Sequence, residues 1–133
     1  MILGIPAIDG HELTKALLDS LELTVTGDNF KVVIIDNASK KPYQPITGYS
    51  FPISILYLSK NNGYYSPLEF LYEMHKDELV GLIHNDMVLY ARGWNERMER
   101  RIKEDGQLAL VGLCGSSEID ERGGRGGGDC LLL

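Results

Sequence analysis

The stretch Val80-Gly81-Leu82-Ile83-His84-Asn85-Asp86 is an apolar run that ends abruptly in a polar triplet closed by a carboxylate. Lys31-Val32-Val33-Ile34-Ile35-Asp36-Asn37-Ala38-Ser39 ends the same way. Both runs predict strands that are near-continuously apolar, as a sheet buried on both faces requires. Such a strand delivers its terminal acid to the carboxyl edge of an open α/β sheet, where ligands bind. Two strand-end acids point to a ligand that offers hydrogen-bond donors or carries a metal.

Strand and helix signals alternate around these runs. Ile2 to Ile5 predicts a short buried strand. His11 to Leu23 predicts a helix with Leu13, Ala16, Leu17 and Leu21 on one face. Pro42, Pro45, Gly48 and Pro52 mark a long irregular connection, and Ile53 to Leu58 a further strand. Ser66-Pro67-Leu68-Glu69 predicts a capped helix start, with Leu68, Leu71, Tyr72 and His75 on one face of the helix that follows. Trp94 to Glu104 predicts a helix with Trp94, Met98 and Ile102 inward and Glu96–Arg100 and Glu99–Lys103 pairs outward. Leu108 to Leu113 predicts a last strand. The alternation gives an α/β fold of three layers, α/β/α, with a mostly parallel sheet and right-handed crossovers.

The sequence divides into an α/β domain over 1–115 and a glycine-rich tail over 116–133. Arg122-Gly123-Gly124-Arg125-Gly126-Gly127-Gly128 orders only at a high cost in backbone entropy. It reads as a segment without regular structure, as a loop that closes over a bound donor, or as a weak RNA contact. Arg122 or Arg125 could approach a diphosphate. Leu131, Leu132 and Leu133 would suit an interface, such as that of a homo-oligomer, or could mark an incomplete copy of something longer.

With 133 residues and 44% hydrophobic content the chain can build one core, and its net charge of −6 argues against general affinity for nucleic acid or anionic membranes. No apolar run approaches the roughly 20 residues that span a bilayer. The first residues enter a strand with no secretory signal, and Cys114 and Cys130 form no CxxC pattern. A reduced, cytoplasmic protein is the simplest expectation.

Asp86 could bind Mg²⁺ or Mn²⁺ through oxygen, with His84 helping directly or through a water if strand geometry sets both on one side. A bound diphosphate would supply further ligands. Alternatively Asp86 only turns the loop. Asp36 could accept the ring N–H of a base or a ribose hydroxyl, or close an Asx turn. Tyr64 and Tyr65 could flank a sugar or a base, or be plain surface residues. Trp94 reads as core, Cys114 as a buried inert thiol, and His11 and His75 show no partner.

Four segments, in their order and spacing, resemble the nucleotide-sugar half of a family 2 glycosyltransferase with the GT-A fold. These are Gly4-Ile5-Pro6-Ala7-Ile8-Asp9, Val33 to Ser39 with its Asp-x-x-Ser turn, Asn61-Asn62-Gly63, and Leu82 to Asp86 followed by Gly93-Trp94. The resemblance implies transfer of a sugar from a UDP-, GDP- or dTDP-sugar to a saccharide or other hydroxyl acceptor, with inversion and a divalent ion. It implies that Pro6 and Ala7 lie beside the base and that Asp36 binds it. Asn62, Gly63 and Asn85 would also touch the nucleotide, and Asp86 would hold the ion with His84. Ile8 and Asp9 stand where the family often has Tyr and Asn, and His84 replaces the first acid of Asp-x-Asp. The family's Arg-Asn after Asn-x-Gly is absent, with Tyr64-Tyr65-Ser66 near that place. Its general base lies in a later segment, for which Glu118, Asp120 and Glu121 are the acids available.

A second class is a non-catalytic nucleotide-binding or subunit-interaction module that lacks the acceptor half. A third, a nucleotidyltransferase or Rossmann-like enzyme, is disfavoured because Pro6-Ala7-Ile8-Asp9-Gly10 holds neither GxGxxG nor a basic residue.

Overall fold

In the computed structural model, the structure describes residues 1–63, 65–105, 118–119 and 125–126. Four strands, β1 (Ile2–Ala7), β2 (Lys31–Asp36), β3 (Ile53–Tyr57) and β4 (Val80–Leu82), form one parallel sheet in the order β3-β2-β1-β4. Helix α1 (His11–Thr24) connects β1 to β2, α2 (Tyr65–Met74) connects β3 to β4, and α3 (Trp94–Glu104) follows β4. The strand order runs outward from β1 to β3 and then returns to the other side of β1. With right-handed crossovers this reversal places α1 and α2 on opposite faces of the sheet. The predicted strand Leu108–Leu113 lies outside the described residues.

The described residues fall into two compact units, Met1–Glu99 and Arg100–Leu133. The second contains the last turns of α3 and a two-stranded antiparallel ladder, β5 (Glu118–Ile119) with β6 (Arg125–Gly126). A short piece of the glycine-rich tail therefore does hold regular structure.

All six residues of β1 are buried, because it is paired on both sides. It runs past the expected Ile5 to Ala7 through a proline. Ile2 and Gly4 direct their backbone groups to β4, where Ile2 N–H donates to Leu79 O and Ile83 N–H donates to Gly4 O. By the same alternation the missing N–H of Pro6 would face β4 beyond the point where pairing ends, so no ladder bond is lost. Pro6 and Ala7 are thus buried strand residues rather than loop residues.

On one face Ile2, Val33 and Ile35 pack with the fully buried Leu71 of α2. A Cβ at Gly4 would stand 2.5 Å from Leu71 Cδ2, so α2 sits closely on the sheet there. Pro67 is buried beside Leu71, whereas Tyr72 is 55% exposed and does not share the inward face. The helix begins at Tyr65, so Ser66 lies inside the first turn instead of capping it, and Pro67 takes a place where no intrahelical N–H is needed.

In α1 the inward stripe is Thr14, Leu17, Leu18 and Leu21, while Leu13 and Ala16 are exposed. A hydroxyl takes the core position that the apolar pattern had given to Leu13. In α3, Trp94 is buried edge-to-face against Phe30 at 5.9 Å. Glu96 accepts from Thr26 Oγ1 at 2.8 Å, and Arg100 reaches Glu104 at 3.9 Å instead of Glu96. His75 has a partner after all, its Nδ1 donating to Glu78 at 3.3 Å.

Asp36 ends β2 with 2% of its surface exposed. Its Oδ1 accepts from Ser39 N–H at 2.8 Å and its Oδ2 from Tyr43 N–H at 3.0 Å, folding the next seven residues around one carboxylate. Burial raises the carboxyl's pKa, but the bonds from the Ser39 hydroxyl and from the Tyr43 and Ser39 amides outweigh it and hold the group below its ordinary value.

Two outcomes follow from this packing. A carboxyl depressed in the folded state stabilises above its unfolded pKa of about 3.9, and that stability is lost as pH falls through the lower folded value. Asp36→Asn should cost about 1–3 kcal/mol at neutral pH and flatten the acid loss below about pH 4. Urea midpoints measured across that range check this; parallel profiles would contradict it. Gly4→Ala should cost about 1–3 kcal/mol by overpacking against Leu71, read as a lower urea midpoint at unchanged slope.

Candidate functional site at the carboxyl edge of the sheet

Because the strands are parallel, β1, β2, β3 and β4 all end at one edge, at Ala7, Asp36, Tyr57 and Leu82. Asp36 and Asp86 therefore share that edge, Asp36 as the last residue of β2 and Asp86 in the turn that follows β4. The reversal of strand order lies between β1 and β4, which is where open α/β sheets form their ligand crevice. The loops 8–10 and 84–86 flank it. They come close: Gly10 has φ of +65°, and a Cβ there would stand 3.1 Å from Asn85 Nδ2. Both facts favour glycine at this position.

Polar side chains tie the loops to one another. Asp9 N–H donates to Ser39 Oγ at 2.8 Å, and Asp9 Oδ1 accepts from Lys40 N–H at 2.9 Å. Asp9 and Ala38 both sit at positive φ, 52° and 64°, strained conformations that these cross-bonds hold in place. Asn37 organises the loop after β3. Its Nδ2 donates to Asn61 Oδ1 at 3.0 Å and to Gly63 O at 2.9 Å, and its Oδ1 accepts from Asn62 N–H at 2.9 Å. Asn62 and Gly63 thus stand on the same rim as Asp36.

A hydrogen-bond chain crosses the rim from β4 to β2. Tyr43 Oη donates its one proton to Asp9 O at 2.6 Å. Thr14 Oγ1, 2.7 Å away, therefore donates to Tyr43 Oη, and Asn85 Nδ2 donates to Thr14 Oγ1 at 3.2 Å. Tyr43 is 1% exposed, and burial pushes its phenol up, so it remains a donor at neutral pH. His11 stacks on the Tyr43 ring with centroids 4.2 Å apart. Thr14, Tyr43 and Asn37 are residues of this edge to which the sequence reading gave no role, and His11, read there as without a partner, has one in the Tyr43 ring. Thr14 interrupts an apolar stripe and Tyr43 lies in a proline-marked connection, so neither carried a periodic signal.

His84 and Asp86 are both exposed. The strand geometry that would have set them on one side ends at Leu82; the chain turns at Asn85–Asp86, with Met87 N–H donating to His84 O at 3.3 Å. No group of three His, Cys, Asp or Glu side chains among the described residues could hold a metal ion. An exposed edge carboxylate fits a hard cation in another mode, in which the protein supplies one or two ligands and phosphate oxygens the rest. Glu118 lies in β5 of the second unit; Tyr64, Asp120, Glu121, Arg122 and Cys114 lie outside the described residues, and the side chain of Tyr65 does too. No helix among the described residues is long and apolar enough to cross a membrane.

A surface hollow of about 430 Å³ is bounded by Asp19, Glu22, Leu23 and Tyr49. It lies on the second half of α1, away from the strand ends, and its acids are engaged, Asp19 by Lys15 and Tyr49, Glu22 by Ser50.

Comparison with curated proteins gives no match. Among solved structures, TarS from S. aureus superposes with a TM-score of 0.60 at 17% identity, covering 77% of this chain and 19% of TarS. TarS 1–349 superposes with a TM-score of 0.62 at 16% identity, and the same fragment in complex with UDP with 0.61 at 16%; each match covers 77% of this chain and 32% of the other. The chain thus spans about a third or less of the length of these structures, and the likeness establishes the fold. The profile of Glycosyl transferase family 2 matches residues 4–126, nearly the whole sequence, and the chain belongs to that family.

Proposed function

We propose that the carboxyl-edge rim binds a nucleotide-sugar and that the protein transfers its sugar to an acceptor hydroxyl. The observation that carries this reading is the placement of Asp36 and Asp86 on one rim at the strand-order reversal, in a chain of this family. A UDP complex of a protein with the same fold supports a uridine nucleotide as the first ligand to test.

In this reading the nucleoside lies over the ends of β1 and β2. Pro6 and Ala7 provide the buried floor, and Asp36 shapes the base-facing turn through the amides it holds. A lone pair left on its carboxylate would accept the base N–H. Asn62 and Gly63 close the β3 side, and Asn85 faces the diphosphate. Asp86 would hold a divalent Mg²⁺ or Mn²⁺ ion, with His84 beside it. When bound, such an ion supplies Lewis-acid stabilisation to the charge that develops on the leaving diphosphate.

Transfer proceeds with inversion in one displacement. The acceptor oxygen bonds to the anomeric carbon as the bond from that carbon to the diphosphate oxygen breaks. The acceptor proton passes to a general base, and the nucleoside diphosphate leaves. Pro6, Ala7, Asp36, Asn62, Gly63, Asn85 and Asp86 bind and orient the donor; the general base is not assigned to any of them.

Isothermal titration with UDP, GDP and dTDP, each with and without Mn²⁺, tests the reading. It predicts binding of at least one nucleotide, tightened by the metal. No heat for any of them would contradict it. Asp86→Ala should remove the metal's contribution, a loss of about tenfold or more in affinity, while leaving metal-free binding within about twofold. Binding without donor hydrolysis or transfer would favour the non-catalytic module instead.

A further inference from the structure

Most buried polar groups at the rim fix a backbone turn. The chain from Asn85 through Thr14 to Tyr43 is different, because it fixes a side chain. Asn85 Nδ2 is committed to Thr14 Oγ1 at 3.2 Å, and the direction of that bond is imposed from the far end. Tyr43 has one proton and gives it to Asp9 O at 2.6 Å, so Thr14 must donate to Tyr43 at 2.7 Å and can only accept from Asn85. The backbone of Tyr43 is itself fixed by Asp36 Oδ2 at 3.0 Å, and its carbonyl accepts from Tyr57 Oη at 2.7 Å. Thr14 and Tyr43 are both 1% exposed, so water does not compete for these bonds, and the Asn85 amide also hydrogen-bonds to the Tyr43 phenol. The carboxamide of Asn85 therefore has one stable orientation, with its nitrogen held by the buried hydroxyls and its oxygen not used by them, in the same turn as Asp86.

We infer that Thr14 and Tyr43 are positioning residues: they hold the Asn85 amide so that its oxygen joins Asp86 in receiving the metal–diphosphate end of the nucleotide. This rests on the nucleotide-binding reading above. It assigns to the core of α1 and to the β2–β3 connection a role in the ligand's charged end, which neither touches. An oriented oxygen acceptor suits a cation or its bound water and repels a bare phosphate oxygen. The contribution of these residues is therefore to metal-dependent binding and not to nucleoside binding.

The test is UDP titration of the full chain with and without Mn²⁺ in Thr14→Val, Thr14→Ser and Tyr43→Phe, together with the NMR signals of the Asn85 side-chain NH₂ group. Valine matches threonine in shape and lacks the hydroxyl, serine keeps the hydroxyl, and phenylalanine keeps the ring stacked on His11 and the backbone bond to Asp36. Thr14→Val and Tyr43→Phe should lower the tightening by Mn²⁺ about tenfold, the scale of lost outer-shell support. Metal-free affinity should stay unchanged and the Asn85 NH₂ signals should move. Thr14→Ser should keep both the tightening and the signals. Folded Thr14→Val and Tyr43→Phe proteins with full Mn²⁺ tightening would overturn the inference while leaving nucleotide binding intact. Unmoved Asn85 signals in both would overturn it without reference to any ligand. If the parent chain does not bind UDP, the same titrations use GDP or dTDP, and absence of binding for all three would overturn both readings.

Discussion

Everything at the functional edge depends on the reversal of strand order at β1. Among the described strands β1 and β2 are both paired on two sides, but the order reverses at β1, with β2 on one side of it and β4 on the other. Its neighbours leave the edge at different heights: β2 stays paired to Ala7, while β4 leaves after Leu82, opposite Gly4. The gap so opened is floored by β1 and walled by two loops. The small residues at Gly4 and Gly10 follow from the same crowding, one under α2 and one against Asn85. A parallel arrangement also fixes the chemistry, since every strand brings its last side chain and its following loop to one edge.

The division of labour between apolar and polar residues is sharp. The sheet faces are held by aliphatic burial, Ile2, Val33, Ile35 and Leu71 on one side, and such contacts carry most of the stability of a domain of this kind. The rim is held by charge-assisted and amide hydrogen bonds from Asp9, Asp36 and Asn37 to loop backbone. These bonds maintain positive φ at Asp9 and Ala38, which costs of order 1–3 kcal/mol each. A rim ordered before its ligand arrives loses less entropy when it binds. That is a physical reason for a small domain to keep strained residues at this edge.

The layered fold was legible because it rests on long apolar runs: Lys31 to Ile35 and Val80 to Ile83 became β2 and β4 within a residue, and α3 has the predicted bounds. Failures came where polar groups are buried or where punctuation residues mislead. Pro6 reads as a stop, but its missing N–H falls where β4 has already departed, so β1 continues. Leu13 fits an apolar stripe better than Thr14 does, yet the core position belongs to Thr14, because its hydroxyl has a partner in Tyr43. Ser66 and Glu69 form a capping pattern, yet the helix starts one residue before Ser66. Asp36 and Asp86 were found as strand-end acids. Asn37, Thr14 and Tyr43 were not, since their importance comes from contacts with residues 24 to 71 positions away, which no local pattern encodes.

The central claim is that the edge where β1, β2 and β4 end is where a nucleotide binds. A crystal of the chain soaked with UDP and Mn²⁺ measures this directly. The account predicts density for the base over Ala7 and the turn after Asp36, and for the diphosphate and ion beside Asn85 and Asp86. Density at the opposite edge of the sheet, or in the hollow beside Asp19 and Tyr49, would contradict it.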